Sequence, residues 1–442
     1  MKLNYKRIIL VGFAFFLIQA FWQAYDNTIP MILTNKFGMS QAWSGAIMAL
    51  DNVLALFMLP LFGAISDKHH SKWGRRTPFI VVGTLIAAVM LIALSFVDNA
   101  QLHHISDVAA IDDPAALETI YDREADETLL TPGGQKFVLS RQFTKEEFTQ
   151  IRSQITVDGA AVTNPDYTNY VMPARQACAW DATAKSPVTL VFFIALLLVI
   201  LVSMAVFRSP AVALMPDVTL KPLRSKANAV INLMGSAGGI LVLALGMVFA
   251  TSAVRNSLMS YIGYFGVIAA LMLAALVIFL LTVREQEWSA EMQQQAVAAG
   301  LEEQSEADDP TASRKLSADE VKSLIFILLS IVLWFFGYNA VTSKYSVYAS
   351  NILHKDYNLT LIIAQAAAIV AYLPVGFIAS KVGRKKTILA GVVMLTGAFT
   401  VAAFLNADSP TMLMNAMFAL AGIGWATINV NSFPMVVELA SG

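Results

Sequence analysis

Ten apolar stretches of roughly membrane-crossing length, separated by polar loops, constrain this chain more than any other feature. A helix needs about 20 apolar residues to cross the hydrocarbon layer, where every backbone N–H and C=O must be paired within the segment. The stretches lie near 8–33, 41–66, 77–97, 188–215, 228–252, 260–283, 322–349, 358–380, 387–406 and 411–437. Of 442 residues, 57% are hydrophobic and 14% charged. An ordinary soluble domain carries about 25% charged residues, so most of this chain belongs in lipid. The predicted class is an all-α integral membrane protein. Residues 8–34 are too long, and too polar near their end, for a cleaved signal peptide, and are expected to remain as the first span.

Charge sets the expected orientation. Lys2, Lys6 and Arg7 place the N-terminus in the cytoplasm, and alternation of the spans brings three further basic clusters to that side. These are Lys221, Arg224 and Lys226; Arg284 with Arg314 and Lys315; and Lys381, Arg384, Lys385 and Lys386. The reading is a multi-pass, monomeric protein of the plasma (inner) membrane, with the lipid bilayer as its surroundings. A net charge of −1, with no basic face, argues against a nucleic-acid partner. The single cysteine, Cys178, excludes an internal disulfide framework and a cysteine-based metal site. His69 and His70 lack further metal ligands nearby. No nucleophile dyad or Walker-type loop occurs, so neither an enzyme nor an ATP-driven pump is expected. The only cofactor expected is a coupling ion, a proton or alternatively sodium.

Two hydrophilic segments interrupt the spans. The first, about 98–186, is acidic and expected outside the membrane; FTKEEFTQIRSQI at 143–155 has helical periodicity, while TPGG at 131–134 and NPDY at 164–167 read as turns. The second, 284–319, reads as a partly helical, mobile cytoplasmic linker. It divides the chain into 1–283, with six spans and the insert, and 320–442, with helices 7–10.

A glycine-punctuated basic loop occurs in both halves: GAISDKHHSKWGRR at 63–76 and GFIASKVGRKK at 376–386. Gly63 and Gly74 allow the turn and a close helix approach, and Asp67 is placed to pair with Arg75 or Arg76. Such a clasp can hold one helix arrangement and release another. With Asp67 and WGRRTPFI at 73–80, RSPAVALMPD at 208–217 and LRSKANA at 223–229, the chain resembles the major facilitator superfamily, and within it the sucrose and maltose type proton symporters and the wider glycoside–cation symporters. The resemblance implies two pseudo-symmetric six-helix halves and a cytoplasmic gate. The gate would comprise Gly63, Asp67, Gly74, Arg75, Arg76, Asp217, Arg224, Gly383 and Arg384. Departures from the pattern are a second half truncated after helix 10, the long insert, and Ser380 where the first half has Asp67.

Polar side chains inside a membrane are costly and usually face a cavity or the bundle interior. Gln19, Trp22, Gln23 and Asp26 recur at i, i+3, i+4 and i+7, one face of helix 1. Carboxylates and amides bond hydroxyls in pairs, and an aromatic face covers the apolar side of a sugar ring. Asp51 and Asn52 are placed about halfway down helix 2, and Arg208 in the inner part of helix 4 as their candidate partner. Asn232, Asn339, Gln365, Tyr372 and Asn429 complete the substrate-binding set; Asn429 and Asn431, two apart, cannot both face one cavity. Asp26 and Asp51 are the proton-coupling candidates. The expected function is secondary active transport of a sugar, a disaccharide or glycoside, with a proton by alternating access. The alternatives are a sodium-coupled or export-type carrier, or a non-transporting sensor that uses the insert.

Overall fold

The computed structural model describes residues 3–157, 160–220, 223–300 and 318–441. All ten apolar stretches form helices. The chain begins with α1 (Tyr5–Asn35), α2 (Gln41–Met48), α3 (Leu50–Lys68) and α4 (Thr77–His104). The insert follows: α5 (Ser106–Ala109), α6 (Pro114–Glu124), β1 (Leu129–Leu130), β2 (Lys136–Phe137), α7 (Leu139–Gln142), α8 (Lys145–Thr149), β3 (Gln154–Val157), β4 (Ala160–Thr163), a π-helical turn at Tyr167–Val171 and α9 (Met172–Lys185). Then come α10 (Val188–Asp217), α11 (Arg224–Val248), α12 (Ile262–Thr282), α13 (Glu285–Ala298), α14 (Ala318–Asn351), α15 (Tyr357–Val382), α16 (Arg384–Ala403) and α17 (Thr411–Ser441). Among the described residues nine helical spans, with α2 and α3 counted as one, are long and apolar enough to cross a membrane; α15 adds a shorter apolar stretch, Tyr357–Tyr372.

In the first six spans, α1 packs along α11 and against α12, while α4 and α3 pack on α10. The close approach of α1 and α11 depends on missing side chains: a Cβ on Gly238 would lie 2.6 Å from the carbonyl oxygen of Phe16. Small residues serve helix association in lipid because tight backbone contact there replaces a hydrophobic driving force. One buried cluster joins these helices through Phe21, Phe193, Phe207 and Phe265, while smaller clusters hold the last four spans, where α15 and α16 both pack on α17. Large apolar side chains also cover the outside, such as Leu281 at 79% exposed, as a lipid-facing surface requires.

The insert is a small folded body with its own core, built on Leu117, Ile120, Phe148, Tyr167, Val171 and Cys178. Val254 and Leu258, between α11 and α12, complete that core and seat the insert on the bundle. A buried network reinforces the seat. Lys36 Nζ donates to Asp98 Oδ1 and Oδ2 at 2.6 and 2.7 Å and to the Met259 carbonyl at 2.7 Å, and both ionic side chains are fully buried. Gln101 Nε2 donates to the Lys36 carbonyl and to Thr183 Oγ1 of α9, each at 3.0 Å.

The structure corrects three expectations. The third span runs to His104, so the insert starts later than residue 98. The 143–155 segment is not one helix: a capping box of Thr144 and Glu147 starts α8, which ends at Thr149, and Ile155 and Thr156 pair with Val162 and Ala161. The second span breaks at Ala49, which puts Asp51 in the first turn of α3 rather than halfway down a helix. A carboxylate there faces the positive end of the helix dipole. Cys178 is buried, its Sγ 3.3 Å from Glu124 Oε1, and burial followed by the nearby Glu124 charge raises its thiol pKa far above the ordinary value. The TPGG segment does turn, between β1 and β2, and α13 makes the linker helical up to Ala298. Lys2, Lys221, Arg314, Lys315, the rest of the 301–317 linker and the Ser380 side chain lie outside the described residues.

Candidate functional site

At the end of the bundle that carries the N-terminus, Arg76 is 4% exposed and collects three acceptors. Its Nε donates to Asp217 Oδ2 at 2.8 Å, Nη1 to Ser66 Oγ at 2.5 Å, and Nη2 to Asp67. Burial opposes the guanidinium charge, but the bonds to Asp217 and Asp67 outweigh it and raise the Arg76 pKa above its ordinary value. The clasp thus ties the end of α3 and the start of α4 to the end of α10. Arg75 plays a lesser part, 3.5 Å from Asp217 with 42% of its side chain exposed. Gly63 faces Ser209 across the α3–α10 contact. Arg224 donates to the carbonyls of Pro216 and Thr219, stitching α11 to the end of α10. Gly383 has φ 95°, a left-handed turn between α15 and α16, directly before Arg384.

Sequence reading missed the centre of this arrangement. Glu285, at the start of α13 and 4% exposed, accepts from the backbone N–H groups of Arg75, Arg76 and Thr77 at 2.6, 2.8 and 2.8 Å, and from Thr77 Oγ1 at 2.7 Å. One carboxylate thereby satisfies the open N-terminus of α4 and meets its dipole. Gly74 makes room for it, with φ 109° and with Glu285 occupying the space a Cβ would need. No local pattern reveals this pairing, because 208 to 210 residues separate the partners.

Near the middle of the bundle, Trp22, Asp51 and Arg208 line a cavity of about 10 Å³ with Leu54, Leu201 and Met204. That is room for about one water molecule and too little for a sugar. The Arg208 guanidinium lies 5.7 Å from the Trp22 ring centre. Asp26, Asp51 and Arg208 act on one another electrostatically without forming direct ion pairs, and the Asp26 charge also reaches the Tyr338 hydroxyl. Asp51 Oδ1 accepts from the Asn52 N–H at 2.6 Å and from Asn52 Nδ2 at 2.8 Å.

Several of the other expected residues meet across the two sets of helices. Asn339 Nδ2 of α14 donates to Asn52 Oδ1 of α3 at 2.8 Å, and Gln365 Nε2 of α15 donates to Gln23 Oε1 of α1 at 2.5 Å. The Tyr372 hydroxyl is within hydrogen-bonding reach of Ser236, Asn429 and Trp425. Asn232 and Asn431 behave differently: each donates to the carbonyl four residues back in its own helix, and neither reaches this group by that bond. A further component is aromatic. Tyr338 stacks on Trp425 with ring centres 4.6 Å apart, and Trp334 meets Trp425 edge-on at 5.4 Å. Trp425 was legible after all, four residues before Asn429 on the same helical face.

Access to this region is asymmetric. Along α1, Gln19 is exposed and Trp22, Gln23 and Asp26 half-buried, whereas Asn27 through Phe37 are all buried. At that end, next to the insert, bonds join the first six spans to the last four. Tyr357 Oη donates to Thr251 Oγ1 at 2.6 Å, Ser350 Oγ to the Ser252 carbonyl at 2.9 Å, and Lys344 Nζ to Gln41 Oε1 at 3.3 Å. The insert takes part: Thr168 Oγ1 lies 3.1 Å from His354 Nε2. The polar face is thus reached from the N-terminal end and sealed at the insert end.

Comparison with known proteins places this geometry. The family model described as MFS/sugar transport protein matches residues 10–103. The sucrose transport proteins SUC3 and SUC4 of Arabidopsis thaliana are 39% and 36% identical over 67 and 59 residues, which is 15% and 13% of this chain. The matched segments span only 11% and 12% of those relatives' lengths. Among solved structures, a D-xylose–proton symporter superposes with TM-score 0.56 at 13% identity, covering 98% of this chain and 86% of that one. A partially occluded, inward-open form of the xylose transporter XylE from E. coli gives TM-score 0.57 at 13% identity, covering 99% and 89%. At such identity the likeness is one of fold. The family model described as Major Facilitator Superfamily matches residues 176–442, more than half of the sequence, and the chain belongs to that superfamily.

Proposed function

We propose that the chain is a secondary active transporter that moves a sugar, a disaccharide or glycoside, together with a proton by alternating access. The observation that carries this reading is the group at mid-bundle: two carboxylates, one arginine and Trp22 on one side, with Gln365, Asn339, Tyr338 and Trp425 facing them from the other set of helices. A hydroxylated ring needs paired polar groups at its rim and aromatic faces for its apolar side, and this group supplies both. A carboxylate whose surroundings change between a buried setting and one near a cation can bind and release a proton during the cycle. Asp26 and Asp51 are the groups placed to do so. The sugar-transport family model and the short matches to sucrose transport proteins point to the same substrate class.

The basic clusters support an orientation with the N-terminus, the Arg76 clasp and α13 on the cytoplasmic side and the insert outside, in a plasma (inner) membrane. In that orientation the structure is an inward-facing arrangement closed outside. Reconstitution into proteoliposomes tests the reading: a panel of mono- and disaccharides is offered under an imposed pH gradient while internal pH is recorded. Sugar-dependent acidification is the expected result. Uptake that follows a sodium gradient and ignores pH would replace the proton by sodium, and no uptake of any sugar would refute the substrate class.

A further inference from the structure

Arg175, in α9 of the insert, is a buried cation whose bonding partners are all neutral. Its side chain donates from Nε to the Val108 carbonyl at 2.8 Å and from Nη1 to Tyr167 Oη at 2.5 Å, and its guanidinium carbon lies 5.4 Å from the Tyr167 ring centre. Arg175 is 3% exposed, and its Nη2 is buried without a partner. Beside it, Asn35 at the end of α1 is also 3% exposed; its Oδ1 accepts from Gln176 at 2.9 Å, while its Nδ2 is buried without a partner. Both residues line a cavity of about 10 Å³ completed by Met172, Gln176, Ser257 and Leu258.

Among the described residues, no carboxylate is bonded directly to the guanidinium. Lys36 and Asp98 pair with each other, and Asp112, which acts electrostatically on Tyr167 as Arg175 does, is bonded to the N–H and hydroxyl of Ser153. A cation taken out of water without a counter-charge is costly, and so is each unpaired N–H. The cavity therefore has room for one small occupant that accepts from two N–H groups, and a monatomic anion would do so while balancing the guanidinium. Oxyanions are too large for that volume, and the Met172 and Leu258 walls suit a weakly hydrated, polarisable ion. We propose that this cavity is a halide site, occupied by chloride, which joins the insert to the end of α1 and to the α11–α12 connection.

The test is thermal unfolding of the full-length protein in detergent, in sodium chloride, sodium bromide and sodium gluconate at equal ionic strength. Chloride and bromide are expected to raise the Tm saturably by about 3 °C or more over gluconate. Arg175→Gln should remove that difference. Asn35→Asp supplies an internal carboxylate at the same spot, so it should be as stable in gluconate as the parent is in chloride, with no response to halide; it keeps the question answerable if Arg175→Gln does not fold. Crystals grown in bromide should show an anomalous peak between Arg175 and Asn35. Identical melting in chloride and gluconate, or a water molecule in place of bromide, would overturn the proposal.

Discussion

At the residue scale, the buried Lys36–Asp98 pair and the mid-bundle carboxylates differ in how firmly their charges are held. Lys36 has three acceptors within 2.7 Å, so its charge and that of Asp98 are fixed in place. Removing one member leaves the other charged and buried, which costs about 3–5 kcal/mol. Lys36→Met is therefore expected to lower stability by that amount in thermal or denaturant unfolding, and adding Asp98→Leu should recover most of it. Asp26 has no such fixed partner, and its charge is felt by Asp51, Arg208 and Tyr338 across the helices. Asp26→Asn keeps the shape while removing the ionisable group. It should abolish uphill sugar accumulation driven by a pH gradient and leave downhill exchange partly intact, with Asp51→Asn as the next choice for the same phenotype. Intact pH-driven accumulation in both variants would show that neither carboxylate carries the proton.

At the element scale, the N-terminal end of the bundle is organised by who bonds to whom among α3, α4, α10 and α13. Asp67 was the acidic residue that stood out in the sequence, yet 61% of its side chain is exposed, whereas the Asp217 side chain is only 17% exposed. Charge-assisted bonds weaken with solvent screening, so Asp217 contributes the stronger half of the clasp. Asp217→Asn is thus expected to change the rate of conformational exchange more than Asp67→Asn, with sugar affinity within a few-fold of the parent in both. Paired labels across the N-terminal mouth, followed by distance measurements, check the order. A larger effect of Asp67→Asn would reverse this assignment. The insert behaves as an element of the same kind: Thr183 and Gln176 of α9 are bonded to α4 and α1, so it moves with the first six spans.

At the scale of the whole molecule, the closure at the insert end must open if the chain alternates, and one of its contacts is made by a histidine, His354. Burial pushes His354 below its ordinary pKa, the bond to the Ser350 carbonyl opposes the shift, and Lys355 adds to it. The sign follows: with the sealed-state pKa depressed, sealing carries no penalty above the ordinary histidine range near 6.5 and grows less favourable as pH falls below it. Acid on the insert side should therefore shift the population toward a form open at the insert end. Double electron–electron resonance between labels on the insert and on α15 should show longer distances at pH 5 than at pH 8. His354→Gln should flatten that difference; an unchanged pH response in this variant would move its origin to the mid-bundle carboxylates.

Composition and periodicity alone determined that the chain is a bundle of apolar helices of membrane-crossing character, where the ten apolar stretches lie, and that a polar insert separates the third from the fourth. These features follow from the hydrocarbon layer's demand for paired backbones, and from charges too costly to bury by accident. Tertiary structure decided the rest. Glu285 meets α4 from more than 200 residues away, Asn52 meets Asn339 and Gln23 meets Gln365 across the two sets of helices, and Cys178 and Arg175 are buried although their segment is polar. Periodicity reports which face of a helix is apolar; it carries no information on which other helix that face will meet.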